Sequence, residues 1–119
     1  MTRTLLRSAL LLCVVAGCGS DKKVVAARET SYSSLAKADE AFKAKKFAEA
    51  LPGYDECIKT GSLQADVLAE TYLRRAVCRI ETGDPSGAQE DLSQAERGGA
   101  IGEEYERAVK RLKEKSSGS

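Results

Sequence analysis

The chain has 119 residues, enough for one domain, and 42% hydrophobic with 31% charged residues is the balance of an ordinary globular protein. Its 19 basic and 18 acidic residues leave a formal charge of +1, which excludes the strong positive field typical of nucleic-acid binding. With no His, the sequence lacks the commonest general base and a common neutral metal ligand. We therefore expect a binding or structural module, not an enzyme, with no catalytic residues, no metal and no cofactor.

Residues 1–17 have the layout of a secretory signal peptide. Arg3 and Arg7 give a positively charged start, and an apolar stretch from Ala9 to Ala16 follows. Because a membrane-spanning helix needs roughly 20 apolar residues, this stretch is too short to serve as a transmembrane anchor. We predict that the segment is cleaved.

The sequence immediately before Cys18 is Val15, Ala16 and Gly17. It resembles the lipobox of bacterial lipoproteins, in which an aliphatic residue, a small residue and Gly or Ala precede the cysteine. The resemblance implies that Cys18 carries a diacylglyceryl group, that cleavage occurs before it, and that the new amino terminus can receive a further acyl chain such as palmitate. Each buried methylene contributes about 0.8 kcal/mol, so two or three chains anchor stably. The alternatives are a plain signal peptide with an unmodified Cys18, or a hydrophobic start in a cytosolic protein.

The residues after Cys18 bear on location and on flexibility. In lipoproteins of diderm bacteria an Asp at the next position favours the inner membrane, so Gly19 implies the outer membrane facing the periplasm, in preference to the inner membrane or the cell surface. Residues 18–30 are predicted to form the lipidated N-terminus and a flexible tether, because Gly19 to Thr30 are small or charged without a sustained period. The alternative is an extra helical turn leading into the first helix.

Residues 31–115 show helical periodicity, and residues 116–119 are predicted to be a disordered tail, which makes the fold class all-α. Asp84 and Pro85 provide an N-cap followed by Pro at the first helical position. Gly61 and Gly83 stand just after predicted helices, where glycine commonly ends a helix. The predicted helices run from about Ser34 to Lys45, from Phe47 to about Thr60, from a cap at Ser62 to Thr82, from a cap at Asp84 to Gly98, and from about Gly102 to Lys115.

The helices form two units that can be aligned on their turns. The alignment superposes Ala50 on Ala88, Tyr54 on Leu92, and Cys57 on Ala95. This pattern resembles the tetratricopeptide repeat, in which small residues stand where paired helices touch. The resemblance implies a right-handed stack of antiparallel helical hairpins, with about two units and a C-terminal capping helix. The spacing of 38 residues exceeds the family's period of about 34, and an unrelated five-helix bundle is the alternative.

Two groups of reactive or charged side chains are assigned structural roles. Cys57 and Cys78 are predicted to be separate, mostly buried thiols, because the expected stacking keeps their Cα atoms beyond the roughly 7 Å limit for a disulfide. Acidic neighbours such as Glu90 with Asp91 point to different sides of a helix, so we predict that they are solvated surface and not a catalytic pair.

In the tetratricopeptide family, partner segments lie along the concave face made by the first helices of successive units. Carried over by position, the resemblance places seven residues on that face: Asp39, Phe42, Lys43, Leu73, Val77, Ile80 and Glu81. The alternative is that Leu73, Val77 and Ile80 are core residues.

These patterns together predict a membrane-anchored lipoprotein whose helical repeat domain binds a protein or peptide partner, as an adaptor or assembly factor in the bacterial cell envelope. No binding of nucleic acid is expected. The alternative function is a structural envelope lipoprotein that self-associates, for instance as a homodimer, without a dedicated client.

Overall fold

The structure, a computed structural model, describes residues 25–118, and this part of the chain is all-α, with five helices and no strand. The prediction of an all-α fold is confirmed. The helices are α1 (residues 25–43), α2 (Phe47–Thr60), α3 (Ala65–Thr82), α4 (Pro85–Arg97) and α5 (Glu103–Ser117). The predicted signal peptide and Cys18 lie outside the described residues.

The N-terminal boundary of the helical domain differs from the prediction. Residues 25–30 are helical, so the flexible tether does not extend to Thr30, and the alternative of additional helix before Ser34 is the one observed. Ser31 is buried, and its hydroxyl oxygen lies 2.7 Å from that of Thr60 in α2. This contact between helices stabilises α1 ahead of the first apolar residue of the periodic pattern, where sequence periodicity gives no signal.

The C-terminal boundary also differs from the prediction. Helix α5 includes Ser116 and Ser117, which we expected in a disordered tail, and Gly118 follows as the C-cap residue. The Ser117 hydroxyl donates a hydrogen bond to the backbone carbonyl of Lys113, one turn earlier. Serine can bond to the helix backbone in this way, so its weak helix propensity does not end the helix here.

The turns are formed largely by the residues that the sequence indicates. Gly61 and Gly83 follow α2 and α3 with positive φ angles of 65° and 89°. The Asp84 side chain caps α4 by accepting a hydrogen bond from the backbone N–H three residues later, at 3.0 Å. The predicted cap of α3 is wrong: Gln64 is its N-cap residue, and the Ser62 hydroxyl instead approaches the Thr60 carbonyl at 3.5 Å.

Within each hairpin the two helices pack antiparallel. In the first hairpin, Ser31 near the start of α1 contacts the last residue of α2, while Asp39 further along α1 accepts a hydrogen bond from Tyr54 in the middle of α2. In the second hairpin, the contacts of α3 with α4 also run in opposite directions, from Arg75 with Asp91 to Arg79 with Gly87. Both hairpins predicted from the turns are therefore present in the contacts.

Helix α3 lies between the other helices and contributes to two apolar clusters. One cluster joins α1, α2 and α3 and includes Leu35, Tyr54 and Cys78. The other joins α3, α4 and α5 and includes Ile80 and Leu92. The core is thus a row of two clusters that share one helix, as expected when hairpins are stacked side by side.

Burial recurs along the chain with a spacing of 38 residues. Six pairs of positions at this spacing are buried in both units: Ser31 with Ala69, Leu35 with Leu73, Ala38 with Ala76, Ala50 with Ala88, Tyr54 with Leu92, and Cys57 with Ala95. Turn geometry recurs as well, because Lys45 and Gly83 both have positive φ, as do Gly61 and Gly99. The two hairpins therefore use equivalent positions for packing and for turning.

Candidate partner-binding surface

An open cleft lies where α1, α3 and α5 meet on one side of the stack. Its volume is about 330 Å³. The residues that line it come from all three helices: Phe42, Val77, Ile80, Glu104, Arg107, Ala108 and Arg111. We call this region the α1–α3–α5 cleft. It is a place where an apolar side chain of another molecule can be received between charged groups.

The floor of the cleft is apolar and held in place by aromatic packing. Phe42 is half-buried and meets Phe47 edge-on, with ring centroids 5.8 Å apart, and Tyr54 in the same manner at 6.5 Å. Such edge-to-face contacts are favourable and fix ring orientation. Val77 is also half-buried, and Ala108 is buried beside it. The exposed part of Phe42 is therefore presented by a rigid support.

The rim of the cleft carries charges from α5. The Arg111 Nε atom lies 3.0 Å from Glu81 Oε1, and Lys115 Nζ lies 3.5 Å from the other oxygen of that carboxylate. The hydrogen bond from Arg111, with the positive charge of Lys115, lowers the pKa of Glu81. Arg107 is more exposed, and its contacts are with Glu103 one turn earlier: 3.8 Å to the carboxylate and a 3.3 Å hydrogen bond to the backbone carbonyl. Among the rim cations, Arg107 is thus the one most available to a partner.

A polar network connects the same face to the core. The buried Tyr54 hydroxyl donates to Asp39 Oδ1 at 2.7 Å, and Arg74 Nη1 lies 2.8 Å from Asp39 Oδ2. Burial, with the hydrogen bond to Asp39, raises the pKa of Tyr54 well above its usual range. Because both oxygens of Asp39 are engaged within the protein, this carboxylate ties α1 to α2 and α3.

The seven predicted partner-binding residues do not form one exposed set. Phe42 and Val77 meet in the cleft, and Lys43 is exposed at the end of α1. Leu73 and Ile80 are only 6% and 3% exposed and belong to the core, which is the alternative stated for them, while Ile80 also contributes to the lining of the cleft. Asp39 and Glu81 are half-buried and paired with arginines.

Sequence reasoning missed the contribution of α5 to this surface. Arg107 and Arg111 stand four residues apart and therefore share one face of α5, with Glu104 three residues before Arg107. Helices α1 and α3 are the first helices of the two units, and α5 follows α4 in the position of a further first helix. The rule that placed Phe42 and Val77 on the partner-binding face therefore also places this charged face of α5 there. The available signal was the alternation of helices.

A second charged cluster is buried on another part of the stack. Asp91 is 1% exposed, and its carboxylate receives hydrogen bonds from Arg75 Nε at 2.9 Å, from Arg75 Nη2 at 2.7 Å and from Arg79 Nη1 at 3.1 Å. Arg75 also reaches Asp55 in α2 at 2.9 Å. The prediction that Asp91 is solvated surface is wrong, because α3 supplies two guanidinium groups that compensate its burial.

The two thiols of the described chain are unpaired and buried, as predicted. The Cys57 thiol donates a hydrogen bond to the Ser31 carbonyl at 3.1 Å. Burial raises the pKa of Cys57, and it raises the pKa of Cys78 to about 12. Within residues 25–118, no group of three or more Cys, Asp or Glu side chains is arranged to hold a metal ion.

No family model, no curated protein and no solved structure matches this chain. Among the helices that the structure describes, none has the length and apolar character needed to cross a bilayer.

Proposed function

We propose that the protein is a bacterial lipoprotein, anchored through Cys18, whose helical repeat domain binds a protein partner as an adaptor or assembly factor in the cell envelope. The observation that carries the binding role is the α1–α3–α5 cleft, an apolar floor with a charged rim on a rigid helical support. The N-terminal sequence carries the anchoring role, since Val15 to Cys18 has the lipobox pattern.

The shape and chemistry of the cleft suit a peptide segment or a helix of a partner. Its floor offers Phe42 and Val77, and its rim offers Glu104 and Arg107, so one large apolar side chain flanked by charges would be received. Protein interfaces concentrate binding energy in such central apolar contacts, while the charged rim selects the partner and excludes others.

The repeat character of the domain supports a tetratricopeptide-like architecture. Buried positions recur at 38 residues, and they include the small residues Ala38, Ala50, Ala76 and Ala88 at the helix contacts. Within this proposal the hairpins form a right-handed stack, and α5 acts as the capping helix that closes the second apolar cluster.

The anchoring half of the proposal is tested by mass spectrometry of the chain expressed in a bacterium with its native N-terminus. We expect cleavage before Cys18, a mass increase of a diacylglyceryl group on that residue, and recovery in the membrane fraction. The variant Cys18→Ser should be unmodified and leave the membrane fraction. An intact N-terminus in the wild-type chain would contradict the anchoring role.

The binding half is tested by photo-crosslinking in living cells from a residue placed at Lys43, which is exposed beside the cleft. We expect one discrete protein adduct that is lost when Val77→Glu is added, because a carboxylate in the apolar floor opposes insertion of an apolar side chain. A crosslinker at Gln89, exposed on α4, with and without Gln94→Glu serves as the matched control. An adduct with a second copy of this chain alone would favour the self-associating alternative.

A further inference from the structure

Three large hydrophobic side chains are exposed in the described part of the chain. Ile101 is 65% exposed, Val25 is 52% exposed and Tyr32 is 36% exposed. Single exposed apolar residues are common on soluble surfaces and need no explanation. Here their distribution is informative, because all three lie at the same end of the helical stack.

Contacts around the start of α3 place the three residues. The Tyr32 hydroxyl accepts a hydrogen bond from the backbone N–H of Gln64, just before α3 begins, at 3.4 Å. Val25 precedes Tyr32 by seven residues, so both lie on the same face of α1. Ile101 lies in the loop before α5 and shares an open depression with Glu70 in the second turn of α3.

The opposite end of the stack has a different character. It carries the turn at residues 44–46 and the turn between α3 and α4, and its side chains include Lys43, Lys45 and Lys46. Within residues 25–118, no exposed large hydrophobic side chain lies at that end. The molecule therefore has one end with exposed apolar groups and one end with charged and small residues.

The apolar end is also the end to which the proposed anchor is attached. Cys18 precedes Val25 by seven residues, which cannot span more than about 25 Å in any conformation. Helix α1 then carries the chain away from that point by roughly 27 Å over residues 25–43, at about 1.5 Å per residue. An acylated Cys18 therefore confines Val25 to within about 25 Å of the bilayer, while the lysine-rich turn can lie further away.

We propose that this end, defined by Val25, Tyr32 and Ile101, is a membrane-docking surface that inserts its exposed side chains into the interfacial layer of the anchoring bilayer. The inference rests on the proposed lipidation of Cys18. Tethering makes weak contacts effective, because the lipid already holds the surface at high local concentration. Tyrosine suits this layer, since its ring is apolar and its hydroxyl remains hydrated.

The charges at this end indicate which lipid surface is recognised. The exposed charges at this end include both signs, with Arg28 and Lys59 alongside Glu29, Asp66 and Glu103, so neither sign predominates. Docking is therefore apolar in origin and does not require anionic lipid. Its consequence is orientation: the helices stand away from the membrane, and the α1–α3–α5 cleft opens sideways to a partner beside the bilayer.

The chain has no Trp, which allows a single reporter to be introduced at each end. The test uses the full lipidated chain in phosphatidylcholine vesicles whose acyl chains carry bromine near the headgroups. The reporter variant is Ile101→Trp, and the matched control is Ala44→Trp, at a residue that is also exposed, in the turn at the far end. We expect a shift of emission to shorter wavelength and about twofold stronger quenching for Ile101→Trp than for Ala44→Trp.

A second pair of variants tests the surface as a unit. Tyr32→Trp should also be quenched, and adding Ile101→Ser should reduce that quenching, while adding Ser86→Ala at the far end should leave it unchanged. Raised salt should not release the reporters, because the contact is apolar. Both Ile101 and Ser86 are exposed, so neither added change disturbs the core.

The outcomes separate this inference from the function on which it rests. Equal quenching at both ends, in a chain shown by mass spectrometry to be lipidated and shown to float with the vesicles, would overturn the docking surface alone. A chain without lipid would overturn the anchoring role and this inference together. Blue-shifted emission of Ile101→Trp before vesicles are added would show that protein, not lipid, covers the surface and would also overturn it.

Discussion

Among single residues, the Asp91 carboxylate stands out in the described chain because its charge is buried and must be compensated within the protein. It is buried, and Arg75 binds it with two nitrogen atoms while Arg79 adds a third contact. Such bidentate, charge-assisted hydrogen bonds are stronger than neutral ones and fix the geometry of both partners. Together they join α3 to α4, and the further contact of Arg75 with Asp55 includes α2.

We expect Asp91→Asn to lower the free energy of unfolding by about 3 kcal/mol, because it removes the buried charge that Arg75 and Arg79 share. Arg75 and Arg79 then keep only their more exposed acidic partners, Asp55 and Asp84. Urea unfolding followed by circular dichroism measures the loss. Glu90→Gln removes the same charge from the neighbouring exposed residue and should change stability by about 0.5 kcal/mol or less. Equal effects of the two substitutions would show that the Asp91 contacts contribute nothing specific.

Sequence patterns could not identify this network. Asp91 stands beside Glu90 in a stretch that reads as polar helix surface, and its partners lie 12 and 16 residues away in another helix. Only the packing of α3 against α4 brings the groups together. The arginines on α3 are visible in the sequence, but their partner in α4 is not.

Cys78 gives a second prediction at this scale. An unfolded thiol has a pKa of roughly 8.5, whereas burial raises the pKa of Cys78 to about 12 in the folded protein. Above pH 8.5 the unfolded chain loses this proton while the folded chain keeps it, so the contribution to stability is present below pH 8.5 and is lost as the pH rises toward 12.

Unfolding curves at pH 8 and pH 10.5 should therefore show lower stability at the higher pH. In Cys78→Ala the decrease should be smaller, because the titrating group is gone, even though the variant starts from a lower stability. Tyr54 and Cys57 have raised pKa values as well and should supply the remaining decrease. An identical pH dependence in wild type and Cys78→Ala would show that burial of this thiol does not shift its titration.

At the scale of helices, close contact between α1 and α2 depends on a glycine within α2. A Cβ atom placed on Gly53 would lie 2.8 Å from the Cβ of Ala38 and 3.3 Å from the Ser34 carbonyl oxygen. Both distances are below ordinary van der Waals contact. The first hairpin is therefore packed so closely that one methyl group more would separate its helices.

This geometry predicts that a Gly→Ala substitution, which usually stabilises a helix, will destabilise the protein at this position. Gly→Ala inside a helix normally raises stability by about 1 kcal/mol, but Gly53→Ala should lower it by about 1–3 kcal/mol because the added methyl overpacks the contact. The double variant Gly53→Ala with Ala38→Gly moves the methyl to the other helix and should recover part of the loss. Thermal and urea unfolding of the wild type and of these two variants measure both effects, and a stabilised Gly53→Ala would refute the close approach.

The ends of the helices show which features local sequence can predict. Gly61, Gly83 and the Asp84–Pro85 pair act through backbone conformation within a few residues, and the structure has helices ending or beginning where they indicate. The start of α1 and the end of α5 were misplaced because neither depends on a local stop signal. The turns of α1 before Ser34 are supported instead by Ser31, which packs against Thr60.

The sequence predicted only part of the cleft, because only some of its residues can be identified from their position in the repeat. Phe42 and Val77 were selected by their position in the repeat, and the structure places both there. Whether Leu73 or Ile80 faces solvent depends on how closely α5 covers α3, which periodicity does not determine. The rim residues Arg107 and Arg111 required knowing that α5 continues the row of α1 and α3.

At the scale of the whole molecule, stability is distributed over two clusters joined by α3. Leu35 packs in the cluster of α1 and α2, and Leu92 packs in the cluster of α4 and α5, while α3 contributes residues to both. In stacked repeats each unit is stabilised mainly by its neighbour, so weakening one end should leave the other end folded. Weakening either cluster should therefore also destabilise α3, because α3 packs in both.

Hydrogen exchange followed by mass spectrometry tests this arrangement with two matched substitutions. Leu35→Ala and Leu92→Ala remove the same atoms from equivalent depths, since the residues are 8% and 4% exposed, and each should cost about 2–5 kcal/mol. We expect Leu35→Ala to speed exchange mainly in α1 and α2, Leu92→Ala mainly in α4 and α5, and both to speed exchange in α3. If either substitution instead accelerated exchange equally in all five helices, the domain would unfold as one cooperative unit, and partner binding at the cleft would then stabilise both hairpins together.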